Sequence, residues 1–274
     1  AEYIHWDEKR KKYAKQTGAV RRGVGMALFS YKTGVWPISL EIAGARLSLN
    51  QDGSVQLQLG ATEIGQGADT VFSQMVAETL QTDMAHVHIQ TVQDTDVSPF
   101  DTGAYASRQS FVTGTAVKHC AEILRDKILA YAKTLLPEVD TRELSLHDNW
   151  IWAGEEQAIS LAALAEESYY SLTNSSVLTA EVSEQVKKNT IATGCCFAEV
   201  EVDIKLGKIK ILHIINVHDS GKLLNPQLAE MQVHGGMSMG MGYGISEQLI
   251  LDEKTGRPLI EQIGRAVQQE CRDR

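Results

Sequence analysis

A chain of 274 residues with 43% hydrophobic and 22% charged side chains can bury a substantial core, which excludes a disordered protein. Its net charge of −9 excludes a nucleic-acid binder, because the basic run in Glu8-Lys9-Arg10-Lys11-Lys12 reads as the solvated face of a terminal helix. No apolar stretch reaches membrane-span length and Ala1 to Trp6 has no signal-peptide layout, so a cytoplasmic protein without membrane contact is expected.

The chain starts without Met inside a charged helix, and an upstream portion is therefore expected. Residues 7–15 read as the tail of that helix and 18–22 as a linker, making 1–22 the end of a preceding domain. Gly23 to Ser30 is apolar and strand-like, with a turn at Lys32-Thr33-Gly34. Alternating runs at Glu41 to Leu49 and Ser54 to Leu59, joined by Asn50-Gln51-Asp52-Gly53, form a hairpin.

The second of these runs leads to Gly65-Gln66-Gly67. A helix follows with Val71, Met75, Val76 and Leu80 on one side and Asp69 or Thr70 as its N-cap, and then a strand, Val87 to Val92. This strand–turn–helix–strand unit would present an amide and free backbone N–H groups at the turn. Alone, such a turn is more often plain chain reversal than a cofactor site. His86 and His88 have no third ligand nearby and read as surface or satisfied histidines. The acidic loop Asp94 to Gly103 lacks the spacing and closing Glu of a calcium loop.

Ala104 to Ser110 then opens a long helix with apolar positions Val112, Ala116, Val117, Cys120, Ile123, Leu124, Ile128 and Leu135, ended by Pro137. Small residues at its start make a second candidate anion site. Cys120 lies on its apolar side, and the four cysteines, Cys120, Cys195, Cys196 and Cys271, have neither zinc nor iron–sulfur spacing. Residues 138–192 read as scaffold, with a strand near 149–152, a turn at Gly154, a helix at 160–167 and a polar loop at 171–176.

Thr193 to Asp203 alternates strictly and turns through Lys205-Leu206-Gly207-Lys208 into Ile209 to His218, an antiparallel hairpin. Glu199, Glu201 and Asp203 share one face, read as solvated. Asn225-Pro226 starts a helix holding Gln232, Gly235, Gly236, Gly240, Gly242 and Gly244; so many glycines predict close approach to another element or a ligand. Gln232 reads equally well as solvent-facing.

In combination these segments are less generic. Gly65-Gln66-Gly67, Ala106-Ser107 ahead of Gly114-Thr115-Ala116-Val117, Ala198 to Asp203, Asp219-Ser220-Gly221 with Asn225-Pro226, and Gln232 with Gly235-Gly236 resemble, in order and spacing, the molybdenum hydroxylases. The resemblance is greatest to the molybdenum-binding subunits of the bacterial xanthine dehydrogenase type, and it runs from about residue 3 to about 258.

It implies an α+β fold of mixed and antiparallel sheets with packed helices, the second molybdenum-cofactor-binding domain of the xanthine dehydrogenase/aldehyde oxidase fold. That domain would span 23–258, as two α/β lobes at about 23–136 and 137–258, with 259–274 an atypical tail. The resemblance further implies a molybdenum–molybdopterin cofactor, with the cytosine dinucleotide form among the options, contacted by Gly65, Gln66, Gly67, Ser107 and Gln232, with the Ala106 backbone close to the metal. It implies purine oxidation with water as oxygen source, iron–sulfur and FAD subunits as partners in a heteromeric complex, and an upstream half of the molybdenum subunit carrying further metal and substrate contacts. The family's base is a glutamate in a Gly-x-Gly-Glu turn; Glu261 and Glu270 lack flanking glycines, so no catalytic residue is assigned and the chain alone is expected to be inactive. Alternatives are a non-catalytic cofactor-binding or assembly module, an aldehyde oxidase-like substrate range, and an unrelated α+β protein binding phosphate at Gly65 to Gly67.

Overall fold

The structure, a computed structural model, describes residues 2–90 and 94–259. In chain order its elements are α1 (Trp6–Tyr13), β1 (Val20–Lys32), β2 (Ile42–Leu49), β3 (Val55–Leu59), α2 (Ala68–Leu80), β4 (Val87–Ile89) and α3 (Gln109–Leu135). They continue with β5 (Leu144–His147), β6 (Trp150–Ala153), β7 (Glu156–Ser160), α4 (Leu161–Tyr170), β8 (Thr179–Gln185), β9 (Ile191–Asp203), β10 (Lys208–Asp219) and α5 (Pro226–Ile245). The described residues form two compact units: those within 31–192, and 2–30 together with 193–259.

The unit of residues 31–192 is built on a mixed sheet of order β4-β3-β2-β8. The Asn50 to Gly53 turn joins β2 and β3 as expected, with Gly53 at φ +82° and the Asp52 carboxylate accepting from the Ser54 N–H at 2.9 Å. β3, α2 and β4 form the anticipated crossover, with β3 and β4 parallel. The strand covers Val87–Ile89, and Thr91 and Val92 lie outside the described residues.

Apolar residues on alternate positions of β2, Ala45, Leu47 and Leu49, are wholly buried, as are Ala116, Val117, Cys120, Leu124 and Ile128 at helical spacing on α3. Each fully buried Leu or Ile contributes roughly 1.5–3 kcal/mol by leaving water, so this seam fixes α3 across β2 and β8 and beside α2. Gly114 lets α2 approach, since a Cβ there would stand 2.7 Å from Met75 Cε. Burial pushes the Cys120 thiol up to about 11, which keeps it an inert apolar filler.

β8 pairs with β2 from Ile42↔Gln185 to Ser48↔Thr179. One sheet therefore crosses the expected lobe boundary at 136/137, and the segment read as scaffold supplies a core strand. β5, β6 and β7 form a separate three-stranded sheet, and α4 is capped by Ser160 Oγ, which accepts from the Ala163 N–H at 3.1 Å.

In the other unit the sheet order is β1-β9-β10, with the β9–β10 hairpin in register from Lys208↔Asp203 to Asp219↔Thr193 around an irregularity at Ile211/His213. Within residues 2–22, β1 begins at Val20 and α1 packs on β9. Trp6 meets Phe197 edge-on with ring centroids 5.7 Å apart, and Lys9 Nζ and Tyr13 Oη donate to Glu199 at 2.6 and 2.5 Å. Glu199, expected on a solvated face, is thus 3% exposed. The period-two face is covered where α1 lies on it, at Phe197 and Glu199, while Glu201 reaches Arg22 at 2.9 Å.

Asn225 caps α5 through Leu228 N–H at 3.0 Å, with Pro226 at its first position. Of its glycines only Gly242 is closely approached among the described residues, where a Cβ would stand 2.3 Å from Glu247 Oε1; nothing lies within 4 Å of a Cβ at Gly235, Gly236, Gly240 or Gly244. No residue of α5 is buried. Glu261, Glu270 and the tail beyond Leu259 lie outside the described residues.

Candidate functional site

The Gly65-Gln66-Gly67 turn adopts two left-handed glycines, φ +96° and +84°, so that the chain reverses directly into α2. Neither Asp69 nor Thr70 is the cap. Gly67 stands at the N-cap position, and the carboxylate of Glu63 does the capping from four residues upstream. Its Oε1 accepts from Gly65 N–H at 2.7 Å and Gly67 N–H at 3.0 Å, and its Oε2 from Asp69 N–H at 3.1 Å. The N–H groups expected to be free for an anion are therefore already engaged. Burial alone would push the Glu63 carboxyl up, but these N–H groups outweigh it and hold it below the usual range. Asp69 moves the other way, raised by burial and then by the charge of Glu63.

Gln66 is equally committed. Its Oε1 accepts from Ile64 N–H at 2.7 Å, and its Nε2 donates to Thr62 O at 3.0 Å and to Gln109 Oε1 at 2.6 Å. Gln109 opens α3 and donates in turn to Thr62 O at 3.1 Å. Through this amide pair the first glycine turn is tied to the segment two residues beyond Ala106-Ser107. Sequence reasoning missed Gln109, although its place two residues past the small pair was visible.

Ala106 and Ser107 are consecutive non-glycine residues in the left-handed region, φ +48° and +52°, each costing roughly 1–2 kcal/mol. The Ala106 carbonyl accepts from Gly34 N–H at 2.8 Å, and the turn closes with Arg108 N–H to Tyr105 O at 3.1 Å. Beneath it the Arg108 side chain is completely buried. Its Nε donates to Glu41 at 2.5 Å, and its remaining nitrogens to Asp101 at 2.6 Å, Gly103 O at 2.9 Å and Ile42 O at 2.7 Å. Burial works against the guanidinium charge, but Glu41 and Asp101 outweigh it and raise Arg108 above its ordinary value. The guanidinium is spent on two carboxyl groups and two carbonyls under this helix start, so what the turn offers a ligand is the exposed Ser107 hydroxyl and backbone rather than a bare positive end.

The structure thus brings Gly65, Gln66, Gly67, Ala106 and Ser107 to one edge of the same unit. Gln232 lies in the other unit, exposed on α5. The edge suits a polar organic cofactor. Open space stands before Gly65, and Thr102 Oγ1 and Asp69 Oδ1 are buried without a hydrogen-bond partner. Among the described residues no group of three or more His, Cys, Asp or Glu is placed to hold a metal ion. The polar groups left to a ligand are the Ser107 hydroxyl, an amide oxygen and backbone, which suit a cofactor's organic part and leave its metal to the cofactor's own ligands.

Residues 1–266 match the molybdopterin cofactor-binding domain, and the chain belongs to that family. It is 49% identical over 256 residues to the xanthine dehydrogenase molybdenum-binding subunit of Escherichia coli O157:H7, covering 92% of this chain and 34% of that relative. The fold is that of quinoline 2-oxidoreductase from Pseudomonas putida 86, with a TM-score of 0.82 at 22% identity over 95% of this chain and 35% of that one. It is also that of CO dehydrogenase from Oligotropha carboxidovorans, with a TM-score of 0.79 at 24% identity over 94% and 33% of the two chains. The chain spans about a third of the length of the curated relative described here. No helix among the described residues is long and apolar enough to cross a membrane.

Proposed function

We propose that this chain builds part of the molybdenum-cofactor site of a molybdenum hydroxylase of the xanthine dehydrogenase type, oxidising purines with water as the source of oxygen. The observation that carries the proposal is the Gln66–Gln109 bridge at 2.6 Å, which joins the Gly65 to Gly67 turn to the Ala106-Ser107 turn in a chain of the molybdopterin-binding family. The bound cofactor supplies the redox-active metal and the activated oxygen.

In this reading the chain's own residues hold and orient. Gly65 leaves room for the ligand and Gly67 turns the chain into α2 beside it, Gln66, fixed in rotamer by three partners, offers the second lone pair of its Oε1, and Ser107 adds a hydroxyl. Ala106, with only a methyl group, brings its backbone close to the metal. Gln232 is a further contact to the pterin. The cofactor is molybdopterin, with its cytosine dinucleotide form one option, and iron–sulfur and FAD subunits are partners that carry electrons away. None of Glu41, Glu63, Asp101 and Glu199 is assigned as base, because each carboxylate is already tied to cations or backbone N–H groups.

The test is oxidation of hypoxanthine by the full-length protein with its partners, set against an aromatic aldehyde, with the molybdenum content measured in the same sample. Purine turnover at least 10-fold faster than aldehyde turnover is expected. Preference for the aldehyde moves the protein to the aldehyde oxidase range, and full molybdenum occupancy without turnover of either favours a non-catalytic module.

A further inference from the structure

We propose that Arg108 is the positioning residue of the Ala106-Ser107 wall, acting through a closed ring of bonds and touching no ligand itself; this rests on the cofactor reading above. Two successive left-handed residues with side chains do not persist unless the surroundings over-determine them. Here the ring that does so can be followed atom by atom. The Ala106 carbonyl is held by Gly34 N–H at 2.8 Å; the next residue, Val35, donates its N–H to Glu41 Oε1 at 2.5 Å; the other oxygen of Glu41 accepts from Arg108 Nε at 2.5 Å; and Arg108 returns through Ser107 to Ala106.

A second branch fixes the other side. Arg108 bonds to Asp101, whose oxygens also accept from Gly103 N–H and Thr113 Oγ1, both at 2.8 Å, so the loop before the turn and the second turn of α3 are tied through that carboxylate to the same guanidinium. The Arg108 and Glu41 residues are fully buried, and the Asp101 side chain is inaccessible. Gly34 is required in the ring: at φ +81° a Cβ there would stand 2.9 Å from Glu41 Oε1. Only a planar fork with several fixed donors spans two carboxylates and two carbonyls at once; a lysine ammonium in the same space does not.

The test uses the full-length protein isolated with its cofactor, reading pterin retained per chain after gel filtration and amide exchange at Gly34 and residues 106–108. Arg108→Lys is expected to lower pterin occupancy and to speed exchange at Gly34 and residue 108, whose N–H groups bond to Ala106 O and Tyr105 O, each about 10-fold or more. Adding Ala106→Gly and Ser107→Gly, which make the left-handed turn sterically free, is expected to restore occupancy to within about 3-fold of the glycine variant alone. A merely structural arginine gives no such rescue. If Arg108→Lys does not fold, Glu41→Gln, which breaks the ring at its middle, carries the same expectation. Wild-type protein without pterin sinks the cofactor reading. Unchanged exchange at Gly34 and residue 108 in both variants overturns the positioning role whether or not pterin is bound.

Discussion

Glu63 makes the sharpest single perturbation, because three backbone N–H groups converge on its carboxylate at 2.7, 3.0 and 3.1 Å and the N-cap residue itself, Gly67, has no side chain to cap α2. Removing a side-chain cap costs about 0.5–2 kcal/mol. Three charge-assisted bonds at a helix start, where the dipole adds up to about 1 kcal/mol, place Glu63→Ala at the top of that range, about 2 kcal/mol. Glu63→Gln keeps one acceptor oxygen and loses the charge, for about 1 kcal/mol. For a chain of this size that corresponds to Tm losses of roughly 4–8 °C and 2–4 °C.

The pH dependence has a definite sign. The folded-state pKa of Glu63 is lowered, so its contribution is fully present above the unfolded carboxyl value near 4.3 and disappears as pH falls through the folded value. Asp69, raised by burial and by Glu63, is expected to titrate closer to its ordinary value in Glu63→Gln. Urea melts between about pH 3 and 7, with exchange measured at residues 63–69, test both. Variants within about 0.5 kcal/mol of the parent, with an unchanged acid limb, would refute the reasoning.

Lys9→Ala leaves the buried Glu199 carboxylate with Tyr13 alone nearby at hydrogen-bond distance and is expected to cost about 2 kcal/mol, below the fully buried range because Lys9 is part-exposed, with faster exchange confined to α1 and β9. Burial pushes Glu199 up but Lys9 and Tyr13 hold it below its usual value, so this stabilisation too is full above about pH 4.3 and lost on acidification; equal acid limbs with and without Lys9 would contradict it. Gly60→Ala places a Cβ 2.2 Å from the Pro99 carbonyl and is expected to cost about 1–3 kcal/mol in chemical denaturation, whereas Gly114→Ala meets only the flexible end of Met75 and is expected to cost less than about 1 kcal/mol. The reverse order would mean that the loop before Asp101 yields more easily than α2.

The local parts of this fold were legible because their causes are local. Asp52-Gly53 fixes a hairpin by turn chemistry, Asn225-Pro226 starts a helix with its own cap, and the apolar spacing from Val112 to Ile128 predicts the α3 seam. What escaped depends on distant partners. The alternation in β8 is weak, and only pairing with β2, more than a hundred residues earlier, makes it a core strand. Glu199 looked solvated because α1, some 190 residues away in sequence, is what covers it.

At the site, the positions of Gly65 to Gly67 and of Ala106-Ser107 were readable as motifs. Their internal hydrogen bonding was not. An arginine is ordinarily exposed, and nothing in the run Ser107-Arg108-Gln109 announces a guanidinium buried against Glu41, 67 residues away. Nor does composition predict left-handed Ala and Ser, which exist only because that anchorage holds them.

The central claim is that the Gly65 to Gly67 and Ala106-Ser107 turns bind a molybdopterin cofactor, and pterin and molybdenum content per chain, in the parent and in Gln66→Ala with Gly65→Val, measures it most directly. About one pterin and one molybdenum per parent chain, falling at least 10-fold in the double variant while the fold is retained, is the predicted result. A folded parent that carries no pterin, or a double variant that keeps its full complement, would contradict the account.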